Sequence, residues 1–113
     1  MATYTVSAFT IDERVPARFG SAPFGFASGT VTINPYSQVH LAITKITGLF
    51  KTGGLLRVIV GPADAAGAYL VVWDNVNNSI KAVTGLSTGG FTEAAEGLTT
   101  LGAINWMAVG QLG

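Results

Sequence analysis

The segment Ala68–Thr84, AYLVVWDNVNNSIKAVT, constrains the fold more than any other part of the chain. Two runs rich in β-branched and aromatic residues flank a short stretch of Asp and Asn residues. Asx residues tolerate the backbone of a tight turn, and the flanking residue types favour strands. The segment therefore predicts a β-hairpin.

Other short segments either alternate apolar and polar residues or are continuously apolar, as strands do. They are Thr3–Ile11, Gly29–Asn34, Gln38–Ile46, Leu55–Val60 and Ile104–Leu112. The nearly all-apolar Leu55–Val60 is typical of a strand that is covered on both faces. No segment shows a sustained helical period. We therefore expect one all-β domain over residues 1–113, an antiparallel β-sandwich or jelly roll of about seven or eight short strands.

Segments of turn-forming composition separate the predicted strands. Val15–Ser28, VPARFGSAPFGFAS, combines two Pro, two Gly and three Phe, and it follows the charge cluster Asp12-Glu13-Arg14. Because Pro and Gly interrupt regular structure, residues 12–28 are predicted to form an irregular arm or loop. Gly85–Gly90 is predicted to be a loop, and Thr92–Leu98 one helical turn with acidic residues near its start.

The composition excludes several classes of protein. A hydrophobic fraction of 49% is too high for a disordered chain, and a charged fraction of 11% is less than half the usual share of about 25%. Part of the surface must therefore be apolar and available to a partner. A net charge of zero gives no electrostatic basis for binding nucleic acid or a membrane surface. The chain has no Cys, no long apolar run and no signal-peptide pattern, so we expect a protein made in a cytosol.

Few residues could carry catalysis. His40 is the only histidine, and no Ser or acidic residue is spaced from it in a way that indicates a triad, so we expect it to face solvent or a partner. The acidic residues lack the spacing of a metal-binding loop: Asp12, Glu13, Asp64, Asp74, Glu93 and Glu96. We therefore expect no enzyme and no catalytic, metal-binding or cofactor-binding residue. Two carboxylates that meet in the fold as a glycosidase pair are the enzymatic alternative.

The burial of the two tryptophans distinguishes two functional classes. Trp73 and Trp106 lie in the apolar runs LVVWD and INWMAV. Large aromatic residues in such runs are usually buried, so both are predicted to be core residues. An exposed indole in a groove would instead offer a platform for a sugar ring, and a carbohydrate-binding β-sandwich is the alternative function.

The predicted arm contains the candidate contact residues. Phe and Arg are the residue types enriched among interface anchors. The candidates are Arg14, Arg18, Phe19, Phe24 and Phe26. The alternative is that these Phe residues fold back over the open end of the sandwich.

The order of the segments resembles a diffuse group of small virion proteins of tailed phages. A G-T-hydrophobic-T strand, here GTVTIN, precedes an apolar strand that ends in a small-residue loop, here LLRVIVGPADAAG. A hairpin with a pattern typical of the group comes next. In this chain the matching residues are Tyr69, Trp73, Asp74, Asn77, Asn78, Ile80 and Lys81. An acidic small-residue segment and a final apolar strand, Glu93–Gly110, complete the pattern, so the resemblance covers residues 29–113.

The resemblance implies a capsid decoration (cement) protein. Such a protein is a non-enzymatic structural component with a β-sandwich or jelly-roll core, made in the host cytoplasm and bound to the outer surface of the virion head. The implied partners are neighbouring subunits of the major capsid protein, which it bridges, and further copies of itself in a dimer or trimer. A tail- or fibre-associated module is the alternative within the virion.

Overall fold

The computed structural model describes residues 4–19, 22–62, 69–85, 91–94, 96–98 and 101–112 of the chain. These residues form seven strands and one short helix. They are β1 (Val6–Phe19), β2 (Ala22–Ile33), α1 (Thr44–Thr47), β3 (Leu55–Pro62), β4 (Leu70–Asp74), β5 (Ser79–Gly85), β6 (Phe91–Glu93) and β7 (Ala103–Gln111).

The strands form two antiparallel sheets. The larger sheet has the order β1-β2-β7-β3, and the smaller sheet has the order β4-β5-β6. Residues of both sheets belong to one hydrophobic core. The predicted all-β antiparallel sandwich is therefore confirmed.

Strands β2 and β7 supply the centre of the core. Along both strands, buried residues alternate with more exposed ones, as expected of strands with one covered face. Val31, Ile104 and Trp106 are buried on the covered face and join a cluster with Val71 and Ile80 of the smaller sheet. The residues between them point to the opposite side.

The prediction of an irregular arm over residues 12–28 is wrong, because the described residues of this range lie in the paired strands β1 and β2. Gly25 of this range serves close packing instead of a turn, because a Cβ there would lie 2.6 Å from Leu112 Cδ2. Pro16 is tolerated because β1 is an edge strand, where a backbone N–H can be lost without breaking a central ladder.

The strand predicted over Gln38–Ile46 is also wrong. The segment is a loop that leads into α1, and its apolar residues Val39 and Leu41 are 55% and 48% exposed. Ile43 and Ile46 are buried at a helical spacing of three, which brings them to the core from a single turn. The alternation therefore reflected a surface loop whose apolar residues partly face solvent.

The hairpin predicted from Ala68–Thr84 is confirmed in its described part, where β4 and β5 pair. Asp74 Oδ1 accepts hydrogen bonds from the backbone N–H groups of Val76 (2.9 Å) and Asn77 (3.3 Å). Asn78 adopts a left-handed backbone with φ 52°. Hydrogen bonds lower the pKa of the Asp74 carboxyl, with the Asn77 side chain the main donor. The Asx residues form the turn for the reason that the sequence indicated.

The strand predicted at Leu55–Val60 is confirmed as β3, but the expectation that both faces are covered is wrong. Val58 is buried, whereas Ile59 is 61% exposed. The continuous apolar pattern arises because β3 presents one apolar side chain to the core and another to the surface.

The predicted helical turn at Thr92–Leu98 is replaced by the short strand β6, whose residues Thr92 and Glu93 pair with β5. A turn follows, with Gly97 at φ 82°. The loop predicted at Gly85–Gly90 lies outside the described residues except for Gly85, which ends β5. Cross-strand pairing outweighs a single helical turn, which is too short to be stable alone.

Candidate partner-binding surfaces

One face of the larger sheet points away from the smaller sheet, and we call it the outer face. Its rows follow from the strand register: Arg57, Val109, Phe26 and Val15 form one row, and Ile59, Met107, Ser28 and Glu13 form the next. Ile59, Val15 and Met107 are 61%, 52% and 43% exposed. The outer face is therefore an apolar surface that is open to solvent.

The two edges of the outer face carry opposite charges. Arg57 lies on the edge strand β3, and Glu13 lies on the opposite edge strand β1. Asp12 precedes Glu13 at a bulge and lines a shallow groove of about 360 Å³ together with Ile59 and Met107. Among the described residues, neither Arg57 nor Glu13 has an ion-pair partner.

Strands β1 and β2 continue past the end of β7, and we call this part of the molecule the hairpin end. β7 pairs with β2 as far as Phe24 and Gln111. β1 and β2 pair further, as far as Phe19 and Ala22. Within the described part of the chain, the hairpin end is thus a ribbon of two strands that extends beyond the sheet.

A cleft of about 230 Å³ opens at the base of the hairpin end. It is lined by Arg14, Val15, Gly25, Phe26, Ala27, Leu49, Phe50 and Leu112. Arg14 is the one charged residue of the lining. Gly25 leaves room for the side chain of Leu112, because a Cβ at position 25 would lie 2.6 Å from Leu112 Cδ2. We call it the hairpin cleft; its lining combines apolar side chains with one guanidinium group.

The structure places the five predicted contact residues on this one hairpin. Arg14 is exposed, and Phe24 and Phe26 are half-buried outside the buried core. Arg18 and Phe19 belong to the paired part of the hairpin end, and their side chains lie outside what the structure describes. Arg14 and Phe26 both line the hairpin cleft, and their role in binding a partner stays a prediction.

His40 faces neither solvent nor an open surface, contrary to expectation. Its side chain is only 11% exposed, and its Nε2 lies 2.6 Å from Oε2 of Glu93. Tyr36 donates a hydrogen bond from its hydroxyl to the same carboxylate oxygen at 2.5 Å and accepts one from the Ala82 backbone N–H at 3.2 Å. We call these three side chains, of Tyr36, His40 and Glu93, the loop latch, because they join the loop after β2 to strands β5 and β6.

The loop latch contains a strongly perturbed phenol. Burial raises the pKa of Tyr36 well above its usual range, and the hydrogen bond to Glu93 raises it further. Tyr4 packs beside it with ring centroids 5.8 Å apart, and burial raises the pKa of Tyr4 as well. Both phenols are therefore held protonated, as hydrogen-bond donors.

Glu96 also accepts hydrogen bonds from the loop after β2. Its Oε1 accepts hydrogen bonds from the backbone N–H of Gln38 at 2.8 Å and from the hydroxyl of the buried Ser37 at 3.3 Å. The sequence had suggested that Glu93 and Glu96 were charges of one helical turn. In the structure both carboxylates accept hydrogen bonds from the loop after β2 instead.

The side chains of the loop latch satisfy one another: the Tyr36 hydroxyl and His40 Nε2 both lie within hydrogen-bond distance of Glu93 Oε2. The residues that the structure describes contain no group of three or more His, Asp or Glu side chains that could hold a metal ion. The carboxylates of Glu93 and Glu96 both accept hydrogen bonds from the loop after β2. The loop latch therefore ties the loop after β2 to strands β5 and β6 through hydrogen bonds.

The two tryptophans differ in their surroundings. Trp106 is 2% exposed and stacks on Phe9 with ring centroids 5.3 Å apart, which confirms it as a core residue. Trp73 is only partly buried against the core and lines a groove of about 290 Å³ between β3 and β4, together with Arg57 and Asn75. Of the two indoles, Trp73 is thus the more accessible to a ligand.

Sequence reasoning missed the residues that dominate the outer face. Ile59 and Met107 occur in runs that indicated core strands, and their exposure depends on which sheet face is left uncovered. Arg57 and Gly61 were the available indications that Ile59 is exposed. They lie two positions before and after it, so a charge and a glycine share its face of β3.

Comparison with known proteins gives no relative: no family model, no curated protein and no solved structure matches the chain. Among the described residues, no helix is long and apolar enough to cross a membrane.

Proposed function

We propose that the chain is a non-enzymatic virion structural protein that decorates the outer surface of a tailed-phage head and bridges neighbouring major capsid subunits. The hairpin end with its cleft is the observation that carries the proposal. It is a ribbon beyond the body of the sandwich, and an apolar cleft with one Arg lies at its base. Such a projection can reach a second subunit while the sandwich rests on the first.

The composition supports the same function. With only 11% charged residues and no net charge, the protein has a surface suited to large neutral contacts. A decoration protein binds one lattice many times, so each contact can be modest while the sum stabilises the head. The proposed partners are the major capsid protein and further copies of the chain, and neither nucleic acid nor a membrane is needed.

The test is co-sedimentation of the purified protein with expanded, empty heads assembled from the major capsid protein of the same genome. Wild-type protein should bind and saturate. Arg14→Glu should weaken binding at least tenfold, about 1.4 kcal/mol, because it places a like charge against the capsid carboxylate expected to pair with Arg14 at the cleft. Lys81→Glu, an equal charge reversal on β5 away from the cleft, is the matched control and should bind like wild type. Wild-type protein that stays in the supernatant would refute the proposal.

A carbohydrate-binding function is the second candidate, and the partly buried Trp73, which lines a groove, favours it. The groove that it lines also contains Arg57 and Asn75, which could donate hydrogen bonds to sugar hydroxyls. A glycan array probed with wild-type protein and with Trp73→Ala separates the two functions. Glycan binding that disappears in Trp73→Ala, with head binding absent, would favour the carbohydrate-binding protein.

A further inference from the structure

We propose that the outer face binds the same face of a second copy of the chain, in a dimer with a two-fold axis parallel to the strands. The inference gives a geometry to the self-association named in the proposed function; its test uses no capsid, so its outcome is distinguishable from that of head binding. The inference rests on the opposite charges at the two edges of the outer face and on the apolar residues between them.

The symmetry makes the charges complementary. A two-fold axis between the stacked faces places β3 of one copy over β1 of the other and keeps each row at the same level. Arg57 is then offset by one row, roughly 7 Å along the strands, from Glu13 of the second copy, across a gap of about 10 Å between the sheets. The two side chains point towards each other and together span this separation. The contact occurs twice, once at each edge. Both residues are exposed, and the part of the chain that the structure describes offers neither an ion-pair partner.

The same operation stacks the apolar residues. β7 of one copy lies over β2 of the other, so Val109 meets Phe26 in both directions, and Met107 lies over Ser28. Ile59 covers the aliphatic part of Glu13 at the edge. A charged rim around an apolar centre is the usual composition of a protein interface.

The area is sufficient for a specific dimer. Four strands about 4.8 Å apart and nine residues of about 3.3 Å each give a face of roughly 570 Å² per copy. Two copies together bury roughly 1,100 Å², which exceeds the size of about 1,000 Å² expected of a biological contact.

Pairing of sheet edges is the competing way to join two copies, and the edge strand β1 disfavours it. Its register shifts twice, between Val6 and Ala8 and between Ile11 and Glu13, and it contains Pro16. Bulges, charges and proline on an edge strand prevent addition of another strand. Extension of the sheet through β1 is therefore disfavoured, which leaves the outer face as the larger surface for a second copy.

Charge reversal tests this geometry by sedimentation velocity over a series of concentrations. Wild-type protein should show a species of twice the monomer mass. Arg57→Glu and Glu13→Arg should each weaken the dimer at least tenfold, because either change places like charges together at both edges. An equimolar mixture of the two variants should restore a tight heterodimer, since the carboxylates at the edges of one variant then meet the guanidinium groups at the edges of the other.

The controls separate this result from misfolding or a general charge effect. Both single variants should keep the wild-type melting temperature, measured at a concentration where all proteins are monomeric. Lys81→Glu should dimerise like wild type. A wild-type protein that stays monomeric, a trimer, or a mixture that is no tighter than either variant alone would each overturn the proposed dimer.

Discussion

Replacing Tyr36 by Phe tests whether the loop latch fixes the loop after β2. Tyr36 is fully buried, and its hydroxyl joins Glu93 on one side to the backbone N–H of Ala82 on the other. Tyr36→Phe keeps the ring and removes only this hydroxyl. The change therefore isolates the hydrogen bonds of the loop latch from the packing of the aromatic ring.

The expected loss of stability follows from the two hydrogen-bond partners of the Tyr36 hydroxyl, the Glu93 carboxylate and the Ala82 N–H. A hydrogen bond to a charged group contributes about 1.5–3 kcal/mol, and a buried N–H left without an acceptor costs about 1–3 kcal/mol. Because Glu93 is 21% exposed and keeps its contact with His40, the first loss falls at the lower end of its range. We expect Tyr36→Phe to lower the free energy of unfolding by about 2–4 kcal/mol.

The assay is urea unfolding followed by circular dichroism. Tyr69→Phe is the matched control, since Tyr69 also packs against the core but its hydroxyl makes no hydrogen bond to another described residue. It should change stability by less than about 0.5 kcal/mol. A loss below about 1 kcal/mol in Tyr36→Phe would refute the claim that the hydroxyl bridges loop and sheet.

The raised pKa of Tyr36 gives the same test a pH signature. The folded protein holds the phenol proton more tightly than the unfolded chain does, so this contribution to stability is fully present below the ordinary pKa of 10.0. It is lost as the pH rises from there through the raised pKa. Wild-type protein should therefore lose stability at alkaline pH more steeply than Tyr36→Phe, and equal slopes would contradict the assignment.

Three further predictions concern stability. Trp106→Ala should cost about 3–5 kcal/mol in urea unfolding because the ring is buried; a cost below about 1 kcal/mol would contradict its place in the core. The lowered pKa of Asp74 contributes stability that is present above its ordinary pKa of 3.8 and is lost as the pH falls through the lowered value. Acid unfolding should therefore be less steep in Asp74→Asn, and an unchanged slope would contradict this. Gly29→Ala should destabilise by about 1–3 kcal/mol, because its Cβ would strike the backbone of Thr10, whereas Gly61→Ala meets open space and should be tolerated; equal melting temperatures would refute the packing argument.

Patterns that depend on neighbouring residues were predictable from the sequence. The β4–β5 hairpin follows from its Asx turn, and the strands β3 and β7 follow from their apolar runs. These elements are specified locally, by turn chemistry and side-chain period. The sandwich followed from the number of such segments.

The long hairpin and the loop latch depend on contacts distant in sequence. Gly25 suggested a turn and Gly29 the start of a short strand, but no local pattern indicates that their small size admits Leu112 and the backbone of Thr10, respectively, in the folded sheet. His40 meets Glu93 across 53 positions, and no local pattern indicates that pairing. The same limit applies to the outer face, since the exposure of Ile59 is decided by which face the second sheet covers.

The most direct measurement of the proposed function is the number of copies bound per saturated head, determined by quantitative mass spectrometry against the major capsid protein. A decoration protein should occupy equivalent lattice positions, on the order of hundreds of copies in a fixed ratio to the capsid subunit. A few to dozens of copies would indicate a tail- or fibre-associated module. The absence of bound protein would contradict a virion function on the head.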